Sequence, residues 1–340
     1  MKPNIAVLGA TGVVGREILS ILEEKKFDFN SIKMLASSRS AGSKLDFMGK
    51  EYTVVEAKPE EFDGVDIVLA SAGGSTSLAL AKEAAKRGCV YIDNSSAFRM
   101  ENDVPLVIAG VNDDDLKNHK GIVANPNCST SQLMLVLKPL HDYANIKRLI
   151  VSTYQAVSGA GLAAMNELTD NSKVNLVGMP YENKVFKYEI GFNLIPQIDS
   201  FTENGYTKEE MKVTNETRKI LHLSENIPIS CTAVRVPVYR GHSEAVTIEF
   251  EKPIDASKAR EILSKAWGVE VVDDIDNYVY PTPKDCAGKD PVYVGRIRES
   301  IAFDNAIDLF CVADNLRIGA ALNTVRIAES VVRMGLYGNK

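Results

Sequence analysis

Residues 5–15 read Ile-Ala-Val-Leu-Gly-Ala-Thr-Gly-Val-Val-Gly, a short apolar run that ends in glycine and passes directly into a helical pattern. That placement decides the fold. Gly9, Gly12 and Gly15 permit a tight strand-to-helix turn and a close approach of backbone. The first helical turn, with Thr11, Val13 and Val14, offers N–H groups that have no carbonyl partner to a pyrophosphate. An ordinary strand-to-helix turn would also account for the glycines. What favours a dinucleotide is the position of the motif on the first strand, with a strand–helix–strand pattern behind it. Glu17–Glu24 carries Ile18, Leu19, Ile21 and Leu22 at helical spacing. Ile32–Ala36, Thr53–Val55 and Asp66–Ala70 read as strands, and Leu78–Arg87 as an amphipathic helix stopped by Gly88. Cys89–Ile92, Leu106–Ala109 and Ile122–Ala124 follow as short apolar runs. Continuously apolar strands alternating with helices indicate a parallel sheet covered on both faces.

The second strand refines the cofactor. A site for NAD places an acid about 20 residues beyond the glycines, where it accepts from the ribose 2′-hydroxyl. Here the stretch after Ala36 is Ser37-Ser38-Arg39-Ser40-Ala41-Gly42-Ser43-Lys44. Hydroxyls and cations without an acid suit a 2′-phosphate, so the expected cofactor is NADP; the alternative is a solvated polar loop.

Further along, Val234, Val236 and Val238 alternate with Arg235 and Pro237, and Val246, Ile248 and Phe250 with Thr247 and Glu249. Period two indicates antiparallel strands with one buried face. Helices are expected at Leu162–Leu168, Glu209–Leu221 and Ser257–Trp267, and a long one over Asn315–Met334. The fold class is therefore α/β: a Rossmann-type doubly wound parallel sheet over residues 1–127, then an α+β domain with a mixed or antiparallel sheet over 128–314. A C-terminal helix over 315–340 is expected to pack back on the first domain. The 340 residues carry 39 Lys and Arg against 45 Asp and Glu, a net charge of −6, which opposes a nucleic-acid surface. No apolar run reaches the roughly 18–20 residues of a membrane span. The N-terminus enters a strand at once without a cleavage site, so no signal peptide is expected. Five scattered cysteines and four histidines, none at ligand spacing, argue against disulfides and against a metal site. The expectation is a soluble, cytoplasmic protein.

One cysteine stands apart. Cys128, in Asn125-Pro126-Asn127-Cys128-Ser129-Thr130, lies at or just before the start of a helix expected over Gln132–Leu140, with Asn127 or Ser129 as its cap. Partial positive charge there favours a thiolate. The spacing alone leaves two readings, a nucleophile or a buried thiol. Cys89, Cys231 and Cys311 fall in apolar strands and Cys286 in a loop. His119, His141 and His222 read as surface or packing residues. His242, in Tyr239-Arg240-Gly241-His242-Ser243-Glu244, joins two alternating strands and is the best acid/base candidate, against a plain hairpin turn. A thiol, an imidazole and an NADP site together suggest aldehyde oxidation through a thioester.

Gly9–Gly15, Ser37–Ser40, Asn125–Thr130, Tyr154–Gly161, Arg235–Glu244 and Ala313-Asp314-Asn315 together resemble the aspartate-semialdehyde dehydrogenase family, over essentially the whole chain. The resemblance implies reversible NADPH-dependent reduction of aspartyl-β-phosphate to aspartate semialdehyde and phosphate, a step toward lysine, threonine, methionine and diaminopimelate. By this likeness 128–314 is the catalytic and dimerisation domain of a homo-oligomer, most simply a dimer. Cys128 carries the acyl-thioester, His242 is the general acid/base and Gln155 positions the substrate. Asn127 neighbours the phosphate pocket, Arg99 and Lys212 bind phosphate, Arg235 binds the α-carboxylate, and Glu209 meets the ammonium. Gly9, Thr11, Gly12, Val13 and Val14 form the cofactor turn, Ser38, Arg39 and Ser40 the 2′-phosphate loop. Ser158, Gly159 and Asn315 lie on the nicotinamide side. Two alternatives remain: an N-acetyl-γ-glutamyl-phosphate reductase, whose acylated amine gives no reason for Glu209, and a non-catalytic NADP-binding paralogue.

Overall fold

The computed structural model describes residues 2–338. In chain order the elements are β1 (Asn4–Leu8), α1 (Val13–Glu24), β2 (Ser31–Ala36), β3 (Lys44–Phe47), β4 (Lys50–Thr53), β5 (Val55–Glu56), β6 (Ile67–Ala70), α2 (Gly74–Lys86), β7 (Val90–Asp93) and β8 (Ile122–Ala124). They continue with α3 (Cys128–Ala144), β9 (Ile146–Gln155), α4 (Leu162–Leu176), α5 (Lys208–Ile220), β10 (Ile229–Arg235) and β11 (His242–Phe250). The last are α6 (Ala256–Ser264), β12 (Val269–Val271), α7 (Pro283–Cys286), β13 (Val292–Glu299), β14 (Ala306–Ala313) and α8 (Leu322–Arg333). The chain forms two compact units, Met1–Asn127 with Ala320–Lys340, and Cys128–Gly319.

In the first unit six parallel strands take the order β5-β2-β1-β6-β7-β8. The chain builds outward from β1 to one side and then, from β6, to the other, so the strand order reverses beside β1, the position where such sheets bind nucleotides. Ile5, Ala6, Val7 and Leu8 are buried, as are Ile18, Leu19, Ile21 and Leu22 on α1, which is why both patterns are legible. The last helix, α8, packs on α1, β6 and β7. On it, buried Asn323 donates to the carbonyl of Val107 and to Asn125 Oδ1 and accepts from the Ala109 N–H.

The second unit holds a mixed sheet in the order β10-β9-β11-β14-β13-β12, with β9/β10 and β12/β13 parallel and the other pairs antiparallel. One face is covered by α3, α5 and α6. Along β9, Leu149, Val151, Thr153 and Gln155 are buried while Ile150 and Tyr154 are exposed.

Several expected elements differ. Leu106–Ala109 is not a strand. Leu106 makes one bridge to Ala124, and the next ladder donors go to side chains, Ile108 N–H to Asn112 and Ala109 N–H to Asn323. Thr53–Val55 is divided: β4 closes a hairpin with β3, and β5 joins β2 in the parallel sheet. The helix expected from Gln132 begins four residues earlier, at Cys128, so Ser129 lies inside it. The strand around Val234–Val238 ends at Arg235, because Pro237 has no N–H to continue a ladder. His242 is no hairpin residue: β9 lies between β10 and β11. The long terminal helix is two pieces, a π turn at Arg317–Ala321 and then α8. Cys286 ends the short helix α7 and is buried. Among the described residues no helix is long and apolar enough to cross a membrane.

Candidate active site

In the Cys128–Gly319 unit, Cys128 is the first residue of α3, where the positive end of the helix dipole favours a negative sulfur. Its Sγ lies 3.3 Å from His242 Nε2. His242 opens β11 and is fully buried. The backbone N–H of Ala156 donates to His242 Nδ1 at 3.0 Å, so the proton of the neutral ring sits on Nε2, the nitrogen that faces the sulfur. Burial, and then the charge of Arg235, hold the His242 pKa well below the usual range. Arg235, at the end of β10 and itself buried, donates through Nη1 to the Ala156 carbonyl at 2.7 Å. One residue's backbone thus fixes both side chains.

Gln155 ends β9. Its Oε1 accepts from the Thr153 hydroxyl at 3.0 Å, and its Nε2 donates to Glu209 Oε1 at 3.2 Å while lying 3.4 Å from His242 Nε2. Glu209 stands in the first turn of α5, a helix started by a capping box between Thr207 and Glu210. Three residues on, Lys212 Nζ donates to Glu209 Oε2 at 3.1 Å and to Asp199 Oδ2 at 2.8 Å. Burial works against the Lys212 charge, but the two carboxylates raise its pKa above the ordinary value. The structure therefore gathers Cys128, His242, Gln155, Arg235, Glu209 and Lys212 in one array.

Beside it, Ser158 and Asn315 are buried and bonded to each other, and Asn315 Oδ1 accepts from the Gly241 N–H at 3.0 Å. Gly159 lies where an added Cβ would stand 3.0 Å from Arg235 Nη1 and 3.3 Å from His242 Nε2. Three contributors escaped the sequence reading. Gly319 packs so closely on Cys128 that a Cβ there would come within 2.7 Å of the cysteine's own Cβ. Thr153 was hidden by its place in a strand. Asp199 sits in an irregular segment that carries no periodicity. Two of the remaining histidines brace local turns, His141 Nδ1 accepting from the Ile146 N–H and His119 Nδ1 from the Gly121 N–H, and His222 is exposed.

In the other unit, the turn after β1 needs its glycines. Gly9 has φ +82°, and a Cβ on it would meet Ser71 Oγ at 2.8 Å. The turn borders a cleft of about 410 Å³ whose wall includes Gly9, Thr11, Gly12, Ser38, Ser71 and Thr76, a volume in the range of small-ligand sites. Val13 and Val14 open α1 just behind it. Ser40 accepts from the Thr11 hydroxyl at 3.3 Å, and Arg39 is exposed in the turn after β2. Two cleft features were not anticipated. The Gly73-Gly74 start of α2 brings a second helix N-terminus to the cleft, and Glu56, paired with Lys58, lines it. A glycine cradle, two helix N-termini and hydroxyl groups fit a dinucleotide. Arg99 is buried in the same unit, donating to the carbonyls of Asn125 and Asn94 at 2.9 and 2.8 Å, and Asn127 is buried as well.

The comparisons with known proteins agree across the chain. Residues 4–119 match the semialdehyde dehydrogenase NAD binding domain and residues 137–318 the semialdehyde dehydrogenase dimerisation domain. The aspartate-semialdehyde dehydrogenase of Aquifex aeolicus is 52% identical over 341 residues, covering 99% of this chain and 100% of that protein. A structure of aspartate semialdehyde dehydrogenase II from Vibrio cholerae complexed with ASA aligns with a TM-score of 0.94 at 46% identity, over 98% of this chain and 99% of that one. The Candida albicans enzyme with NADP aligns with a TM-score of 0.77 at 27% identity, over 98% and 99%.

Proposed function

The chain belongs to the aspartate-semialdehyde dehydrogenase family, and from that premise we propose that it catalyses the reversible, NADP-dependent conversion of L-aspartyl 4-phosphate to L-aspartate 4-semialdehyde and phosphate through an acyl-thioester. The observation that carries this reading is the pairing of Cys128 Sγ with His242 Nε2 at 3.3 Å, at the start of a helix.

In the biosynthetic direction the Cys128 thiolate attacks the acyl carbon, a C–S bond forms, the C–O bond to phosphate breaks, and phosphate leaves. When bound, NADPH supplies the hydride that reduces the acyl carbon. Cys128 then departs as thiolate and releases the aldehyde. His242 serves as the acid/base partner through Nε2, its N–H donating a hydrogen bond to the substrate oxygen as charge develops there and turning back to the sulfur as the C–S bond breaks. The ring stays neutral throughout, since full loss of that proton would leave an imidazolate. Gln155, held by Thr153 and Glu209, presents its amide beside the thiol. Arg235 suits the α-carboxylate, since a guanidinium pairs with carboxylate through two parallel bonds. Glu209 meets the ammonium, and Lys212 and Arg99, with Asn127 nearby, serve the phosphate.

Gly9, Thr11, Gly12, Val13 and Val14 would hold the pyrophosphate, and Ser158, Gly159 and Asn315 would serve the nicotinamide side. The hydroxyls and cation at Ser38, Arg39 and Ser40 support NADP over NAD. The exposed face of the mixed sheet, with Ile150, Tyr154 and the Tyr154–Phe310 ring pair at 6.2 Å, supports a homodimer. The reaction's place is lysine, threonine, methionine and diaminopimelate synthesis in the cytoplasm.

The test is phosphate-dependent reduction of NADP with aspartate semialdehyde, beside the N-acetylglutamate semialdehyde analogue. The aspartate aldehyde is expected to be preferred, and Cys128→Ser to lower kcat by about a thousandfold or more. Preference for the acetylated analogue, or near-normal turnover by Cys128→Ser, would overturn the reading.

A further inference from the structure

Asp199 lies between α4 and α5, inside the crossover from β9 to β10, in a stretch that no periodicity marks. Its backbone adopts φ 68°, and its Oδ1 accepts from the Ser200 N–H at 2.8 Å. The segment is tied at both ends to the substrate side of the site. Ile195 exchanges both backbone hydrogen bonds with Arg235, at 2.9 and 2.8 Å, and the Lys208 N–H at the start of α5 donates to the Ser200 carbonyl at 2.9 Å. Between those ties Asp199 Oδ2 accepts from Lys212 Nζ at 2.8 Å.

That contact bears on a charge problem. Glu209 has both carboxylate oxygens engaged, Oε1 by Gln155 and Oε2 by Lys212. A substrate ammonium that docks on Glu209 competes with the Lys212 ammonium for the single negative charge of that carboxylate. Two cations sharing one buried carboxylate would leave an unbalanced positive charge, whose cost is reduced but not removed by the partial exposure of Lys212 and Asp199. With Asp199 present, two cations meet two carboxylates. Asp199 is also the nearer partner of Lys212, at 2.8 Å against 3.1 Å for Glu209.

We propose that Asp199 is a specificity-determining positioning residue: it receives Lys212 when the substrate's α-ammonium claims Glu209, and so selects for substrates that carry a free amine. The proposal rests on the assignment of Glu209 to the ammonium and Lys212 to the phosphate. It adds what that assignment lacks, a partner that lets one helix face release a carboxylate without stranding a cation. Lys212 then turns toward Asp199 and remains available to phosphate.

The experiment compares aspartate semialdehyde with succinic semialdehyde, which has the same aldehyde and carboxylate but no amine. Asp199→Asn keeps the size and polarity of the side chain and removes its charge. The expected result is a rise of about tenfold in KM for aspartate semialdehyde, the scale of one lost charge contact. The dissociation constant of succinic semialdehyde, read as its Ki against the amino substrate, is expected to stay within a factor of about two. Asp199→Glu should recover most of the lost affinity. Equal shifts for both aldehydes, or none for either, would overturn the proposal. Failure of the wild-type enzyme to use aspartate semialdehyde at all would instead overturn the functional reading beneath it. Unchanged thermal unfolding of Asp199→Asn separates a charge effect from a folding defect.

Discussion

At the scale of single residues, the site is arranged by groups that do no chemistry themselves. Gly159 is an example: an added Cβ would lie 3.0 Å from Arg235 Nη1 and 3.3 Å from His242 Cε1 and Nε2. Those distances require a shift of a few tenths of an ångström in side chains whose other bonds, to the Ala156 backbone, resist it. Gly159→Ala is therefore expected to lower kcat by about tenfold, because reacting groups lose rate steeply when displaced. Fluorescence titration should find NADP affinity within a factor of about three. A large loss of NADP affinity with kcat preserved would put Gly159 against the cofactor alone. The two chemically distinctive residues, Cys128 and His242, were legible because thiols and imidazoles are scarce in this chain and their local patterns differ from their neighbours'. Gly319, Thr153 and the Ala156 backbone were not, since a glycine that must lack a Cβ and a strand threonine carry no signal until the tertiary neighbours are known.

At the scale of elements, α5 shows how local sequence places chemistry. Thr207 Oγ1 accepts from the Glu210 N–H, and Glu210 Oε2 accepts from the Thr207 N–H at 2.6 Å; Glu210 Oε1 also accepts from Ala233 N–H at 2.9 Å. The cap thus starts the helix and anchors it to β10, the strand that ends in Arg235. Thr207→Ala is expected to cost about 1 kcal/mol of stability and to raise KM for the amino aldehyde severalfold, since the first turn carries Glu209. Chemical denaturation and steady-state kinetics measure the two effects; stability lost with KM unchanged would show that the helix start does not position Glu209. The glycine turn, the alternating strands and the amphipathic helices were readable because each follows from spacing alone. Leu106–Ala109 misled for a physical reason: it has the apolar composition of a strand, but Asn112 and Asn323 supply the hydrogen bonds that a neighbouring strand would have made. The order of the second sheet was unreadable for another. Parallel pairing of β9 with β10 depends on contacts between segments some 80 residues apart, and period two marks a strand without naming its neighbour.

At the scale of the whole molecule, two buried groups on one strand pull stability in opposite directions with pH. Glu244 on β11 is fully buried, its Oε2 accepting from the Cys311 thiol at 3.3 Å, and burial pushes its carboxyl up to about 8. Below the unfolded value of 4.5 both states hold this proton. Between there and about 8 only the folded state does, so unfolding releases it and stability falls as pH rises. At one unit for roughly 1.4 kcal/mol, the loss reaches several kcal/mol. His242, held well below 6.5, acts the other way. As pH drops beneath 6.5 the unfolded chain takes up a proton that the buried ring refuses, so stability declines toward acid. Between 4.5 and 6.5 the two offset each other, so together they set a plateau on the acid side of neutrality that falls away above 6.5. Glu244→Gln keeps the shape and an acceptor for Cys311 but removes the titration. Calorimetric scans from pH 5 to pH 9 are expected to show the wild-type Tm falling relative to that of Glu244→Gln as pH rises toward 8. Below about 6.5 the two contributions offset each other in the wild type, so the acid decline due to His242 is seen in Glu244→Gln. Parallel curves over the whole range would mean that the carboxyl at position 244 keeps the same proton occupancy folded and unfolded, and that burial among β11, β14 and α3 does not oppose its charge.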